Sequence, residues 1–414
     1  MTRRRVDLVA PPMSGHLHPI LGIARRLAAE VDVRVISTAG AQAEIAAAGL
    51  QGCALMAGAD ALIASIVNPP KPVQSNPLRL HRQFTDNLRL LTKFRGELLA
   101  LWQDDRPDLV IADFVVPVAG SAAIERGIPW WTSAPSPCAL EAPDGPPGYL
   151  GGWRPRSGAL WRARDAAGRA TIRLFKRAVH RRHRATLTAL GFPSVYRSDG
   201  YEAIYSPDCI LGLGLEALEF PRRVSPAVRW VGPVMYTPPS DAPSPLFVPD
   251  RTHVLVTMGT HLPWRRQAMW QAVRHAAREM PTIEFHVSDG DRHSDRCEVD
   301  GNVRRLGFVS YARDLPRYAA VVHHGGAGVM YRALAAGIPA VVVPADYDQF
   351  DNAARLDVAG VAVWSDLRNL SQSIGRALTD QAIRSQCRRM QAHLVGVISA
   401  PDRVADLVSR IFER

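Results

Sequence analysis

Short apolar runs alternate along the chain with longer stretches in which apolar residues recur every three or four positions. The first pattern is typical of strands buried on both faces of a sheet, and the second of helices that cover such a sheet. In the first half the runs are 6–10, 31–37, 107–114 and 128–134, and a helix is predicted from about Pro19 to Ala29. This alternation predicts an α/β domain with a doubly wound parallel sheet.

A proline-rich interruption separates this half from a second alternation. Five prolines lie between positions 238 and 249, which is typical of a stiff, extended linker. Beyond it, apolar runs recur at 253–259, 282–288, 303–309, 319–324, 339–345 and 360–365. Because 414 residues are too many for one ordinary core, we predict two such domains, 1–235 and 251–400, joined by a linker at 236–250. Residues 401–414 form an amphipathic helix that we expect to return to the first domain.

A glycine-rich turn follows the apolar run at 319–324. Gly325, Gly326 and Gly328 lie between this predicted strand and a predicted helix. The first N–H groups of a helix have no partner within it, and they lie at the positive end of its dipole. The sequence therefore predicts an anion site at this turn, suited to a phosphate.

Polar residues follow the next predicted strand. Pro339 and Pro344 bracket this strand, and Asp348 and Gln349 come directly after it. Ligands of open α/β sheets bind at the carboxyl ends of the strands, so these side chains would lie beside the anion site. A phosphate and a polyol would then bind side by side, as they do in a nucleotide sugar.

A histidine and an aspartate end two strands of the first half. His16 follows the first strand within a turn, and Asp113 closes the run at 107–114. An imidazole there has the chemistry of a general base, and a buried carboxylate beside it would stabilise the imidazolium. On placement alone, the alternative is that His16 is an ordinary polar surface residue.

The net charge of +11 is concentrated in one segment. Ten Arg and one Lys lie between positions 154 and 184, against a single acid, Asp165. The rest of the chain is close to neutral, so we predict no nucleic-acid partner. Apolar residues interleave with these arginines, which leaves two interpretations open. The segment 154–184 either makes a peripheral contact with an anionic membrane, or forms a helix whose apolar stripe packs on its own domain while its arginines face water.

Other features bear on location. No apolar run approaches the length of about 20 residues that a membrane span requires. Asp7, Pro11 and Pro12 interrupt any signal-peptide core, and the five cysteines show no CxxC spacing. We therefore expect a cytoplasmic protein, with contact at the inner membrane face as the open alternative, acting as a monomer or a homodimer.

Taken together, the motifs closely resemble those of the family 1 glycosyltransferases. They are GHxxP at 15–19, HGGAG at 324–328 and PxxxDQ at 344–349, and the segment 221–234 also looks like one that these enzymes carry before their linker. Within this family, the motifs are most similar to those of bacterial natural-product and rhamnolipid-type enzymes. This resemblance implies the GT-B fold, in which two Rossmann-like domains face an interdomain cleft. It also implies inverting transfer of a hexose or deoxyhexose from a nucleotide sugar to a hydroxyl of a hydrophobic small molecule, such as a polyketide, an aromatic natural product or a lipid.

The resemblance assigns roles to individual residues. His16 matches the general base and Asp113 its partner. His324 and the glycine turn match the diphosphate site, Asp348 and Gln349 the pair that binds the donor sugar, and Phe308 with the backbone of Val309 the site of the base. The residues implied in donor binding are Gly259, Thr260, Phe308, Val309, His324, Gly325, Gly326, Ala327, Gly328, Val329, Asp348 and Gln349. No metal or other cofactor is implied, although Asp346 and Asp348 form a DxD that binds a metal in another glycosyltransferase class.

Two positions depart from the family pattern. Val329 stands where most relatives carry Thr or Ser, and Arg332 stands where many carry a Glu that accepts from the ribose hydroxyls. Loss of that acceptor weakens the preference for a ribose 2′-hydroxyl, so we hypothesise that dTDP-sugars are at least as good donors as UDP-sugars. The same departures would suit a catalytically weak nucleotide-sugar-binding auxiliary protein, which is the alternative function. A Rossmann oxidoreductase and a serine hydrolase are excluded, because GxGxxG and GxSxG are missing.

Overall fold

The computed structural model describes residues 3–69, 77–259, 263–396 and 398–413. The strands are β1 (Arg5–Val9), β2 (Asp32–Ser37), β3 (Gln51–Ala54), β4 (Leu109–Asp113), β5 (Trp130–Ala134), β6 (Ile210–Gly212), β7 (Val228–Trp230), β8 (Thr252–Thr257), β9 (Ile283–Ser288), β10 (Cys297–Asp300), β11 (Val303–Leu306), β12 (Ala320–His323), β13 (Ala340–Val342) and β14 (Ala362–Trp364). The helices are α1 (Ser14–Leu27), α2 (Gln42–Ala47), α3 (Asp60–Val67), α4 (Pro77–Asp104), α5 (Val118–Glu125), α6 (Ala159–Arg182), α7 (Arg184–Ala189), α8 (Pro263–Glu279), α9 (Tyr311–Asp314), α10 (Ala327–Ala336), α11 (Gln349–Val358), α12 (Leu370–Thr379), α13 (Gln381–Val395) and α14 (Ala400–Phe412).

The first sheet contains seven parallel strands in the order β3-β2-β1-β4-β5-β6-β7. Strand β1 pairs with β4 in a register that sets Leu8 opposite Ile111, and every residue of β4 is buried. Strands buried on both faces read as continuous apolar runs, which is why the sequence pattern located β1, β2, β4 and β5. The chain order reverses between β1 and β4, so a ligand cleft is expected at their carboxyl ends.

The second sheet has the order β10-β11-β9-β8-β12-β13-β14. All its pairs are parallel except the one between β10 and β11. The sequence did not predict β10, because its four residues are all exposed and show no apolar run. The prediction of an α/β protein with two doubly wound, Rossmann-like domains of the GT-B type is confirmed.

Helix α1 begins at Ser14, and the predicted start near Pro19 is wrong by about one turn. Proline lacks the N–H that would donate to the carbonyl four residues earlier, yet Pro19 lies inside the helix. The sequence therefore misplaced His16 as well, since it lies in the first turn of α1 and not in a turn before the helix. The helix continues the carboxyl edge of β1 directly, so this histidine is fixed by helical backbone.

The C-terminal helix α14 packs against α1. Val404, Ala405 and Val408 belong to the buried core of the first sheet, and Arg26 forms an ion pair with Asp402 at 2.5 Å. The last helix thus contacts the first domain after the chain has completed the second. Residues 231–251 contain no helix or strand, and the exact domain boundaries within this segment stay a prediction.

Candidate active site

His16 and Asp113 meet at the carboxyl edge of the first sheet. His16 Nδ1 lies 3.0 Å from Asp113 Oδ1, and the same oxygen accepts from the main-chain N–H of Val115 at 3.0 Å. The Asp113 side chain is fully buried, whereas 21% of the His16 side chain is exposed. A carboxylate only accepts, so Nδ1 carries the proton and Nε2 is the nitrogen that can accept one.

The surroundings of His16 favour its charged form. Burial lowers the pKa of His16, but the charge of Asp113, the hydrogen bond that Asp113 accepts from His16 and the charge of Asp348 outweigh burial and raise the pKa above its usual value. Phe114 lies beside the imidazole, with its ring centroid 5.7 Å away. Asp348 belongs to the second domain, so a charge of that domain acts on this histidine.

The glycine turn between β12 and α10 has the predicted geometry. Gly326 is the N-cap of α10, no side chain caps the helix, and its first turn contains no acid. Gly325 has φ of +100°, and a Cβ there would lie 2.9 Å from the carbonyl oxygen of Gln349. A Cβ on Gly328 would meet nothing within 4 Å. The N-terminus of α10, which begins at Ala327, therefore presents main-chain N–H groups beside open space, as an anion site requires.

The adjacent histidines have different environments. His323 is fully buried and its Nδ1 accepts from the N–H of Gly325 at 3.0 Å, so it holds the turn. Burial and the neighbouring His324 lower the pKa of His323 to about 3, which keeps it neutral. The His324 ring lies between two glycines, since a Cβ on Gly259 would come within 2.6 Å of it and a Cβ on Gly326 within 2.5 Å. Only His324 is thus placed at the anion site.

Asp348 and Gln349 follow β13 as predicted, but their side chains differ in availability. Gln349 is buried, and its Oε1 accepts from the N–H groups of Ala345 at 2.9 Å and Asp346 at 3.2 Å. Its carbonyl oxygen therefore shapes the loop, and its amide nitrogen is the atom left for a ligand. Asp348 is the N-cap of α11 and accepts from Ser136 Oγ at 2.5 Å.

The predicted base-binding residues lie just beyond β11. Phe308 is half-buried, and the Val309 side chain belongs to the core of the second domain, which leaves its main chain for recognition. Gly259 is in a left-handed conformation at the end of β8, and its N–H contacts Thr257 Oγ1 at 3.2 Å. Thr260 lies outside the described residues.

The two departures from the family pattern have clear local structures. The Val329 side chain is only 4% exposed and packs in the core, so the residue offers the anion site its main-chain N–H alone. Arg332 donates to the carbonyl of Met235, the last residue of the predicted first domain, and to the hydroxyl of Thr237 in the predicted linker. Desolvation lowers the pKa of Arg332, and this guanidinium joins α10 to the start of the linker.

A set of contacts between the domains was not anticipated from the sequence. The segment that follows β5 lies against α11, where the Tyr149 N–H donates to Asp351 Oδ2 at 2.7 Å and Arg154 pairs with Asp357 at 2.8 Å. Arg355 of α11 makes two contacts with Glu219, at 3.0 and 3.1 Å. Local patterns carry no signal for such pairs, because each partner reads as an ordinary polar residue.

Helix α6 contains most of the basic segment, and its orientation contradicts the second interpretation in part. Leu160, Leu174 and Phe175 are 74%, 70% and 57% exposed. Several basic side chains point inward instead, since Lys176 bridges Glu141 and Glu202 at 3.0 and 2.5 Å. The expectation that the apolar residues pack inward failed for these three, because buried acids on the domain attract the cations to the inner face.

The part of the chain that the structure describes contains no group of three or more His, Cys, Asp and Glu side chains that could hold a metal ion. Within the same residues, no helix has the length and apolar character needed to cross a bilayer.

Comparison with known proteins gives three kinds of match. Residues 282–409 match the family described as erythromycin biosynthesis protein CIII-like, C-terminal domain. The chain is 29% identical over 322 residues to 4′-demethylrebeccamycin synthase of Lentzea aerocolonigenes, covering 76% of each protein. Among solved structures it resembles the glycosyltransferase of kitacinnamycin, with a TM-score of 0.76 at 21% identity over 99% of both chains.

A further solved structure contains a nucleotide. The Streptomyces sp. SF2575 glycosyltransferase SsfS6, complexed with thymidine diphosphate, aligns with a TM-score of 0.66 at 19% identity and covers 98% of this chain and 99% of its own. At this identity the likeness establishes only the shared fold, so any argument about the reaction has to come from the residues of the site.

Proposed function

We propose that this chain, which is a family 1 glycosyltransferase of the GT-B fold related to natural-product enzymes, transfers a hexose or deoxyhexose from a dTDP- or UDP-sugar to a hydroxyl of a hydrophobic small molecule, with inversion. The observation that carries the proposal is the 3.0 Å contact between His16 and Asp113 at the carboxyl edge of the first sheet, where Ser136 also contacts Asp348 of the second domain. A passive binding protein has no use for such a pair, so the auxiliary alternative is not proposed further.

The acceptor is activated by His16. Its Nε2 takes the proton of the acceptor hydroxyl while the oxygen forms a bond to the anomeric carbon and the bond from that carbon to the diphosphate oxygen breaks. Asp113 stabilises the imidazolium that results, because its charge and hydrogen bond already raise the His16 pKa. Holding both substrates in one cleft supplies the orientation that a bimolecular reaction lacks.

The diphosphate leaves from the N-terminus of α10. Main-chain N–H groups after Gly326, the helix dipole and His324 stabilise the negative charge that develops on it. Asp348 and the amide nitrogen of Gln349 bind the sugar hydroxyls. These fixed dipoles take the role that a cation has in other glycosyltransferases, so we propose that the reaction requires no metal.

A thymidine donor is our preferred form of this proposal. Arg332 stands where an acceptor for ribose hydroxyls would be, and its guanidinium is engaged with the linker. An enzyme without that acceptor gains little from a 2′-hydroxyl, and a relative of the same fold binds thymidine diphosphate. Turnover of dTDP-glucose and of UDP-glucose, measured as release of the free nucleotide, tests both the transfer reaction and the choice of nucleotide. Release from neither donor would contradict transfer, and a strong UDP preference would contradict the nucleotide assignment alone.

A second proposal concerns location and rests on α6. We propose that the cytoplasmic enzyme, as a monomer or a homodimer, contacts anionic membranes through the outer face of this helix. Exposed Leu174 and Phe175 lie beside exposed Arg177, Arg181 and Arg182, which is the composition of an interfacial helix.

Flotation with vesicles tests this contact. The protein should float with phosphatidylserine-containing vesicles and not with phosphatidylcholine vesicles. The double variant Leu174→Ser/Phe175→Ser should lose flotation, whereas Arg223→Ser, which changes an exposed arginine in a loop outside α6, should keep it. Equal flotation of all three proteins, or of none, would contradict the proposal.

A further inference from the structure

Tyr347 occupies a constrained position in the loop that carries the sugar-binding residues. It lies between Asp346 and Asp348 with φ of +55°, a left-handed conformation that residues with a Cβ adopt at a cost. The loop is held on both sides, since Gln349 Oε1 binds two main-chain N–H groups and Asp346 Oδ1 accepts from the N–H of Tyr347 at 2.9 Å. The main chain of Tyr347 is therefore held in place, and its side chain is 40% exposed.

The phenol of Tyr347 points across the cleft to the first domain. Its oxygen lies 3.5 Å from the carbonyl oxygen of Val67, the last residue of α3. The carbonyl of the preceding residue, Ile66, accepts from Gln83 Nε2 of α4 at 2.8 Å. One side chain of the donor loop thus contacts the end of α3 at the point where α4 is bound to it.

The contact between the Tyr347 hydroxyl and the Val67 carbonyl is longer than an ordinary hydrogen bond. A separation of 3.5 Å is at the long limit for an O–H···O bond, and a shift of about 0.7 Å would bring it to the usual length. Asp348, the next residue, binds Ser136 of the first domain and is the proposed ligand of the sugar hydroxyls. Any displacement of the loop on donor binding therefore moves the phenol relative to α3 and α4.

From this geometry we infer that Tyr347 is a positioning residue that couples occupation of the donor site to ordering of α3 and α4 on the acceptor side. The inference rests on the proposed function and adds a role for a residue outside the catalytic pair and the donor-binding set. Donor binding tightens the contact of Tyr347 with Val67, to which α4 is linked through Gln83 and Ile66, and this closes the acceptor side and excludes water from the sugar. A purely structural tyrosine would instead affect all segments equally, with or without nucleotide.

Hydrogen exchange of the full chain with and without a nucleoside diphosphate tests the coupling. The probe is dTDP, with UDP as the second probe. In the wild-type protein, bound nucleotide should slow exchange at residues 60–68 and 83–90 at least threefold. Tyr347→Phe and Tyr347→Gly should lose this effect while the Kd for the nucleotide stays within twofold of the wild-type value.

Tyr201→Phe is the matched control. Tyr201 makes the same kind of contact inside one domain, with its hydroxyl 3.4 Å from the carbonyl of Val224. This variant should behave as the wild type does. Tyr347→Gly relieves the left-handed conformation as it removes the side chain, so loss of coupling in this variant does not reflect unfolding.

A second readout uses the reaction itself. Release of dTDP from dTDP-glucose without any acceptor measures hydrolysis, which should rise at least threefold in Tyr347→Gly because water is no longer excluded. Three outcomes would overturn the inference while leaving the proposed function intact. Nucleotide could slow exchange equally in the wild type and the variants, or it could bind the wild type without slowing exchange. In the third outcome, the Tyr347 variants would lose affinity for the nucleotide along with the protection. If the wild-type protein binds neither dTDP nor UDP and releases no nucleotide from a donor sugar, both the inference and the proposed function are overturned.

Discussion

Ser136 and Asp348 are 212 residues apart and belong to opposite domains, yet the hydroxyl of Ser136 lies 2.5 Å from the carboxylate of Asp348. Ser136 follows β5 in the first sheet, and Asp348 follows β13 in the second. The residue proposed to hold the donor sugar is thus oriented by the acceptor domain. The candidate site is therefore complete only when both domains are present.

Ser136→Ala tests that orientation. The substitution removes one hydrogen bond to a charged group, worth about 1.5–3 kcal/mol where it is fully formed. We expect kcat/KM for the donor to fall about tenfold, with Asp348 still held by Asn352 at 3.4 Å. Ser65→Ala, which removes a hydroxyl that contacts only its own helix, is the control and should leave steady-state kinetics unchanged. Equal kinetics of the two variants would contradict the assignment.

His16→Ala tests the general base. Removal of a general base costs roughly 10²–10⁴-fold in rate, and we expect a loss in this range for kcat. The diphosphate site belongs to the other domain, so the Kd for dTDP, measured by calorimetry, should change less than threefold. A parallel loss of nucleotide binding would mean that His16 has a structural role.

Asp113→Asn gives a pH-dependent test. His16 acts as a base only when neutral, so the rate rises with pH as His16 loses its proton. Asp113 raises the pKa of His16, which places this rise at higher pH than an ordinary histidine would give. Removing the charge should move the rise to lower pH and also lower its plateau. An unshifted pH profile of kcat/KM would show that another group titrates.

Asp351→Asn tests the contact between α11 and the segment after β5. Burial raises the pKa of Asp351 to about 6, although the Tyr149 N–H and Arg355 oppose this. The folded protein therefore binds the proton more tightly than the unfolded chain, and the free energy of unfolding falls as pH rises from about 4 to about 6. The loss above this window is at most about 3 kcal/mol, from about 1.36 kcal/mol per pKa unit.

An asparagine keeps an acceptor for the Tyr149 N–H and cannot ionise. We expect Asp351→Asn to unfold at a higher temperature than the wild type at pH 7.5 and at the same temperature near pH 4, measured by calorimetry. A variant that is destabilised at pH 7.5 but not near pH 4 would show that ionised Asp351 stabilises the interface, which would contradict the prediction.

Arg355→Ala tests the buried ion pair between α11 and the first domain. The substitution removes hydrogen bonds to a charged group, worth about 1.5–3 kcal/mol, whereas Glu219 keeps its contact with Arg222 at 2.8 Å. We expect a loss of unfolding free energy in this range in urea. Arg223→Ala, which breaks an exposed pair with Asp144, should cost less than about 1 kcal/mol. Similar losses of unfolding free energy in the two variants would show that the pair of Arg355 with Glu219 stabilises no more than an exposed pair.

Much of the chemistry followed from the sequence, because parallel strands bring their carboxyl ends to one edge. The sequence placed His16 shortly after one strand and Asp113 at the end of another, at the same edge of the sheet, and the structure added that these two strands, β1 and β4, are neighbours. The glycine turn was equally local, since a strand, three glycines and a helix within a few residues fix the geometry of an anion site. The apolar runs located most of the buried strands, because a strand that is buried on both faces needs apolar residues along its whole length.

Tertiary structure alone decided which surfaces face each other. The pairs Ser136 with Asp348 and Arg355 with Glu219 join positions more than a hundred residues apart, and nothing in the flanking sequence marks them. The orientation of α6 was decided by Glu141 and Glu202, which lie on other elements and draw its cations inward. Even the start of α1 depended on the cost of one missing hydrogen bond at Pro19, which the rest of the helix outweighs. Local pattern thus determined the elements and the strand-end chemistry, whereas long-range packing and charge pairing determined how the two domains form one site.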